Sequence, residues 1–156
     1  MASLPPSAGR RANQSGNKLE ALVSTVLTQS GYVEVPRAVL LTASEPKRFA
    51  RQWPIGQGIY GTPIKVDFAV MGLPSAPNGL IVEVKWQSVS GSVDEKLPYL
   101  ALNIDQRFPL PAIVVIDGSG WKHGAIDWLR RQVPRIPNLF AVYSMSEFIA
   151  WSNQSL

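Results

Sequence analysis

Polar side chains interrupt two apolar runs: Lys65 and Asp67 within Ile64 to Met71, the latter among hydrophobes, and Glu83, Lys85 and Gln87 within and just after Leu80 to Trp86. Both runs are rich in β-branched and aromatic residues and predict strands. Side chains alternate faces along a strand, so Glu83, Lys85 and Gln87 share one face, opposite Val82, Val84 and Trp86. The same rule puts Ile64, Val66, Phe68 and Val70 on one face of the first run, with Lys65, Asp67 and Ala69 on the other. A charged group in such a strand loses its hydration, a large cost unless it is paired or holds a metal. The Pro/Gly/Asn-rich joint from Gly72 to Gly79 turns the chain back and makes the two strands antiparallel neighbours.

The rest of the composition narrows the chemistry. The chain has no cysteine, which excludes disulfides, thiolate zinc sites and cysteine nucleophiles. Its one histidine, His123, lies near an expected helix start and reads as a structural or surface residue. Metal chemistry is then carboxylate chemistry, which points to Mg²⁺ or Mn²⁺.

An N-terminal helix with an acid, a strand Asp, Glu-x-Lys on the next strand and then a helix resembles the PD-(D/E)XK, or restriction-endonuclease-like, nuclease superfamily. The resemblance covers roughly residues 16 to 117, with Val66 standing where the motif's name has proline. It implies that Asp67 and Glu83 are the motif acids, Lys85 its lysine and Glu20 the acid of the first helix. It further implies Mg²⁺ held by Asp67, Glu83 and the carbonyl of Val84, with Mn²⁺ as a substitute, and a DNA endonuclease of restriction-like or junction-resolving type. Hydrolysing a phosphodiester requires neutralising phosphate charge, activating a water and stabilising the leaving oxygen, and hard oxygen ligands around Mg²⁺ serve all three. Lys85 is expected to orient the water or offset developing charge, its pKa falling near a metal and on burial. Gln87 is expected to hold a water or the phosphate. Two other readings stand beside this one: a DNA-binding module that keeps the core without cleaving, and a basic α/β protein whose acids are only structural.

The charge distribution favours a polyanionic partner. The net charge is +4, and residues 1–65 hold eight Lys/Arg against three acids, while the remainder holds seven against eight. Arg10, Arg11, Lys18, Lys47, Arg48, Arg51 and Lys96 are the expected phosphate contacts. A small nuclease that cuts both strands is expected to be a homodimer. No run of 18 apolar residues spans a membrane and the opening residues lack an apolar signal core, so a cytoplasmic protein without nucleotide cofactor is expected.

The elements that must position these residues are legible in outline. Residues 1–15 read as a flexible basic arm and residues 16–156 as a single domain. Leu19, Leu22, Val23, Val26 and Leu27 have helical spacing, closed by Gly31. Glu45 to Ile55 reads as a strand beside the Asp67 strand. Gly56 to Gly61 contains G-x-G-x-x-G, but a following strand instead of a helix predicts a mobile turn beside the substrate groove. Ser92 to Glu95 reads as a capping box opening a helix that Pro98 kinks. A strand at Ala112 to Ile116, a helix at Ala125 to Val133, a strand at Leu139 to Tyr143 and a helix capped by Ser144 complete an α/β fold. Its expected architecture is a mixed central sheet flanked by helices, with Trp121, Trp128 and Trp151 in the core or an interface.

Overall fold

A computed structural model describes residues 8–89 and 91–156. The chain runs α1 (Ala8–Gln29), β1 (Val33–Glu34), β2 (Arg48–Gln57), β3 (Pro63–Met71), β4 (Leu80–Trp86), α2 (Lys96–Gln106), β5 (Ala112–Asp117), α3 (Ala125–Gln132), β6 (Leu139–Tyr143) and α4 (Met145–Ser155). The six strands form one sheet in sequence order. The hairpins β2–β3 and β3–β4 are antiparallel, and β1–β2, β4–β5 and β5–β6 are parallel. This is the expected mixed α/β sheet flanked by helices.

Each face of the sheet buries its own core. Leu19, Val23 and Leu27 of α1 and Phe148 of α4 pack against Phe68, Val70, Val82 and Val84. Leu97, Leu100 and Ile104 of α2 and Leu129 of α3 pack against Val66, Ala69, Ile81 and Val114 on the other side. β4 and β5 lie between these layers, so they read as near-continuous apolar runs, and a charge inside them stands out. Among the described residues, no helix is long and apolar enough to cross a membrane.

Several local expectations are corrected. α1 begins at Ala8, so the backbone of residues 8–15 is helical; Ala, Arg and Gln there are good helix formers and no proline lies between Pro6 and Pro36. Pro98 does not kink α2, because it occupies the first turn, where its missing N–H has no intrahelical acceptor. No capping box opens that helix: Ser92–Glu95 forms a 3₁₀ turn and Asp94 is buried in other contacts. The box at Ser144 is present, with Glu147 N–H donating to Ser144 Oγ and Ser144 N–H to Glu147 Oε1.

The strict alternation expected along β3 fails at one place. Phe68 and Val70 face α1, whereas Val66 joins Ala69 and Met71 on the α2 side, so the strand changes phase at Asp67. β2 changes phase with it, since Ala50 and Trp53 both face α2. Arg51 pairs with Phe68 and Trp53 with Val66; between them Gln52 has a left-handed backbone, φ 50°. A non-glycine residue in that region marks local strain.

Candidate active site

The ladder between β3 and β4 pairs Val70 with Leu80, Ala69 with Ile81 and Phe68 with Val82, and then stops. Asp67 and Glu83 are the next residues on each strand, and their carboxylates take over where backbone pairing ends. The Asp67 N–H donates to Glu83 Oε1 at 2.9 Å, and the Val84 N–H donates to Asp67 Oδ2 at 2.8 Å. Asp67 Oδ1 has one long contact, 3.4 Å from Gln52 Nε2, so the left-handed residue of β2 is also the one that reaches the Asp67 carboxylate.

Lys85 completes the group. Its Nζ lies 3.3 Å from Glu83 Oε2, with Glu83 buried and Lys85 partly so. Burial first, and then the Asp67 charge, push the Glu83 carboxyl up to about 7. Burial pulls Lys85 the other way, but Glu83, Asp67 and Glu20 outweigh it and hold the ammonium above its usual range. Burial acts in the expected downward direction, and the three carboxylates are the stronger influence. Glu20, half-buried on α1, is near enough to feel Asp67, Arg51 and Lys85, and burial followed by Asp67 raises its pKa.

The carboxylates suit a hard divalent cation. Two acids held this close repel when both are ionised, and each still has oxygen lone pairs after its backbone hydrogen bond. Among the described residues no three acidic or histidine side chains converge into a ligand cluster, so the side-chain donors near Asp67 and Glu83 are these two carboxylates. Ile81 N–H donates to Pro111 and Gln87 N–H to Asp117, which turns the odd-numbered groups of β4 toward β5. Val84 therefore turns its N–H and C=O toward β3, into the open part of the ladder.

Glu83 and Lys85 open into a cavity of about 200 Å³ that Lys65, Lys96, Tyr99 and Asn103 also line. Lys65 was missed by sequence reasoning, although it precedes Asp67 by two residues; Lys96 was anticipated. The tip of the β2–β3 hairpin touches two of these lining residues, Asn103 and Tyr99. Its Ile59 N–H donates to Asn103 Oδ1 at 2.9 Å, and the Tyr60 ring stacks on Tyr99 at 4.9 Å and 23°. A Cβ on Gly58 would lie 2.9 Å from Asn103 Oδ1 and 3.3 Å from the Tyr99 hydroxyl, so the close approach needs glycine. The G-x-G-x-x-G stretch is thus a β-hairpin tip fastened to α2.

Other expected site residues are placed elsewhere. Gln87 is buried, and its Nε2 donates to the Gly120 carbonyl at 2.8 Å and to Asp94 Oδ2 at 3.3 Å, so it ties β4 to the loop before α3. Arg48 is spent on carbonyls, with Nε 2.6 Å from Leu40 and Nη1 2.8 Å from Glu45. Arg51 bonds Ser24 Oγ, lies over the Phe68 ring, and has Nε 3.1 Å from Glu34 Oε1, an ion pair short of a directed hydrogen bond. Lys47 sits over the Tyr32 ring. Lys18 is exposed beside Trp86 and Leu22. The side chains of Arg10 and Arg11 lie outside the described residues. His123 is exposed, in agreement with a surface role, and Trp121, Trp128 and Trp151 pack against the two cores.

Comparison with known proteins gives one match. Residues 11–156 match the PD-(D/E)XK nuclease superfamily domain, while no curated protein and no solved structure matches the chain. Members of that superfamily are in general nucleases, typically use divalent metals and take nucleic acid as substrate. With the match spanning nearly the whole chain and its sheet carrying the acids and lysine in the expected order, the chain belongs to the PD-(D/E)XK nuclease superfamily.

Proposed function

We propose that this protein is a Mg²⁺-dependent DNA endonuclease, restriction-like or junction-resolving, that works as a homodimer. The observation that carries the reading is the crossed pair of hydrogen bonds between the Asp67 and Glu83 segments, with the Lys85 ammonium 3.3 Å from Glu83. Two carboxylates fixed by backbone donors at the end of a ladder are preorganised ligands, and rigid strands hold them more tightly than a loop would.

Asp67, Glu83 and the Val84 carbonyl would hold the ion, and Mn²⁺ should replace it. When bound, the ion neutralises phosphate charge and lowers the pKa of a water. Lys85 lies among carboxylates that favour its charged form. Its part is to donate a hydrogen bond to the attacking water or to a non-bridging phosphate oxygen, offsetting charge as it develops. Glu20 on α1 would contribute a further acid, close enough for its charge to be coupled to Asp67 and Lys85. Lys65 and Lys96 flank the cavity as compact point charges for the neighbouring phosphates.

The test is incubation with supercoiled plasmid and with a four-way DNA junction, with and without Mg²⁺. Cleavage only with the ion, lost in Asp67→Asn, supports the proposal. Tight DNA binding with no cleavage in Mg²⁺ or Mn²⁺ would leave a binding module in its place. Light scattering of the free and DNA-bound protein tests the dimer.

A further inference from the structure

Tyr60 is the most exposed large hydrophobic residue among those described, 75% accessible, although one face of its ring is covered by Tyr99. Tyr99, the ring on which it stacks, lines the cavity that holds Glu83 and Lys85, so the exposed tyrosine stands next to that cavity. The pair is built, not incidental. The hairpin tip closes on itself through Gly58 N–H to Thr62 O at 2.9 Å and Gly61 N–H to Gly58 O at 3.0 Å. It is pinned to α2 by the Ile59 to Asn103 hydrogen bond and by the absence of room for a side chain at Gly58. A preorganised aromatic loses little entropy when a partner stacks on it.

The surroundings specify that partner. Three lysines, Lys65, Lys85 and Lys96, line the cavity against a single acid, Glu83. Lysines that track phosphates beside aromatic faces that take bases are the pairing by which single-stranded nucleic acid is bound. A continuous duplex offers phosphates and base edges on its outside but hides its π-faces in the stack. A cavity of about 200 Å³ is far too small to admit a duplex.

We infer that the Tyr60–Tyr99 stack is a platform for an unpaired nucleobase beside the scissile phosphate, so that the preferred substrate is DNA with a single-stranded segment. The inference rests on the nuclease reading for the identity of the cavity, but its test does not depend on cleavage. The full chain is titrated in EDTA with two fluorescent DNAs of equal charge, a blunt duplex and a duplex with a single-stranded tail. A second tailed DNA carries 2-aminopurine in the tail, to report stacking.

The tailed DNA should bind about 10-fold more tightly than the blunt one, with quenching of 2-aminopurine, and Tyr60→Ala should erase roughly that factor and the quench. Tyr60→Phe should keep both, because the ring and not the hydroxyl does the stacking. Equal binding of the two DNAs by the unaltered protein, or a preference and quench that survive in Tyr60→Ala, overturns the inference. Mg²⁺ assays then separate the two readings. Cleavage of duplex and tailed DNA at equal rates, unaffected by Tyr60→Ala, removes the platform and leaves the nuclease standing. No cleavage of any DNA, with preference and quench intact in EDTA, removes the nuclease and leaves the platform.

Discussion

Asp67 and Glu83 hold each other's strands: the Asp67 N–H donates to Glu83 Oε1 at 2.9 Å while Asp67 Oδ2 accepts from the N–H of Val84, the residue after Glu83, at 2.8 Å. The backbone ladder between β3 and β4 has ended one pair earlier, at Phe68 and Val82. The carboxylates therefore have a structural duty as well as a proposed chemical one, and substitutions have to be read with both in mind.

Replacing either acid by its amide keeps an acceptor for the backbone N–H and removes the charge. Asp67→Asn and Glu83→Gln should fold, and should lower DNA cleavage by ~10³-fold or more, as expected for loss of a metal ligand. DNA affinity in EDTA should hold or rise, because a negative charge has left the groove. Plasmid cleavage beside circular dichroism melting checks this; near-full activity in either variant would dismiss the pair as ligands.

Lys85→Ala should reduce the single-turnover rate by ~10² or more with little change in DNA affinity, since the ammonium acts mainly on charge that develops in the transition state. Lys85→Arg should rescue only in part, because a planar fork does not replace a compact point charge. A variant that loses binding and rate equally would make Lys85 an ordinary phosphate contact.

The raised pKa of Glu83 has a definite sign for stability. The folded protein keeps this proton up to about 7, whereas the unfolded chain releases it near 4.5. The group's contribution to stability is therefore fully present below about 4.5 and is lost as pH rises through 7. Thermal melting in EDTA should show this part of the pH dependence, and Glu83→Gln should flatten it. Because Mg²⁺ must displace the same proton, its affinity measured by calorimetry should climb as pH approaches and passes 7. Affinity independent of pH between 5 and 8 would place the ion elsewhere.

The basic residues should divide into two sets. Lys96→Ala leaves an exposed position and should lower the salt slope of DNA binding by about one unit. Arg48→Ala should leave the slope unaltered and cost about 1–3 kcal/mol of stability, as partly buried carbonyls lose their donor. Gln87→Ala should likewise act on stability, by about 1–3 kcal/mol, and not on the single-turnover rate of the folded protein. A reversed pattern in salt titrations and denaturant melts would show that the free cation is Arg48 and not Lys96.

From the chain alone, the order of the elements, the mixed sheet, the isolation of Asp67, Glu83 and Lys85 in apolar strands and their family could all be read. These depend on local periodicity and on the high cost of burying charge, which are written into neighbouring residues. Only the tertiary structure decided which polar groups are free. Arg48 is taken up by carbonyls on the preceding loop, and the Gln87 amide nitrogen by Gly120, 33 residues away. The phase change at Asp67 depends on the left-handed Gln52 in another strand, and the Tyr60–Tyr99 stack joins a hairpin tip to a helix 39 positions on. No pattern in a single segment encodes such pairings, because a side chain's partner is set by how the strands and helices are brought together.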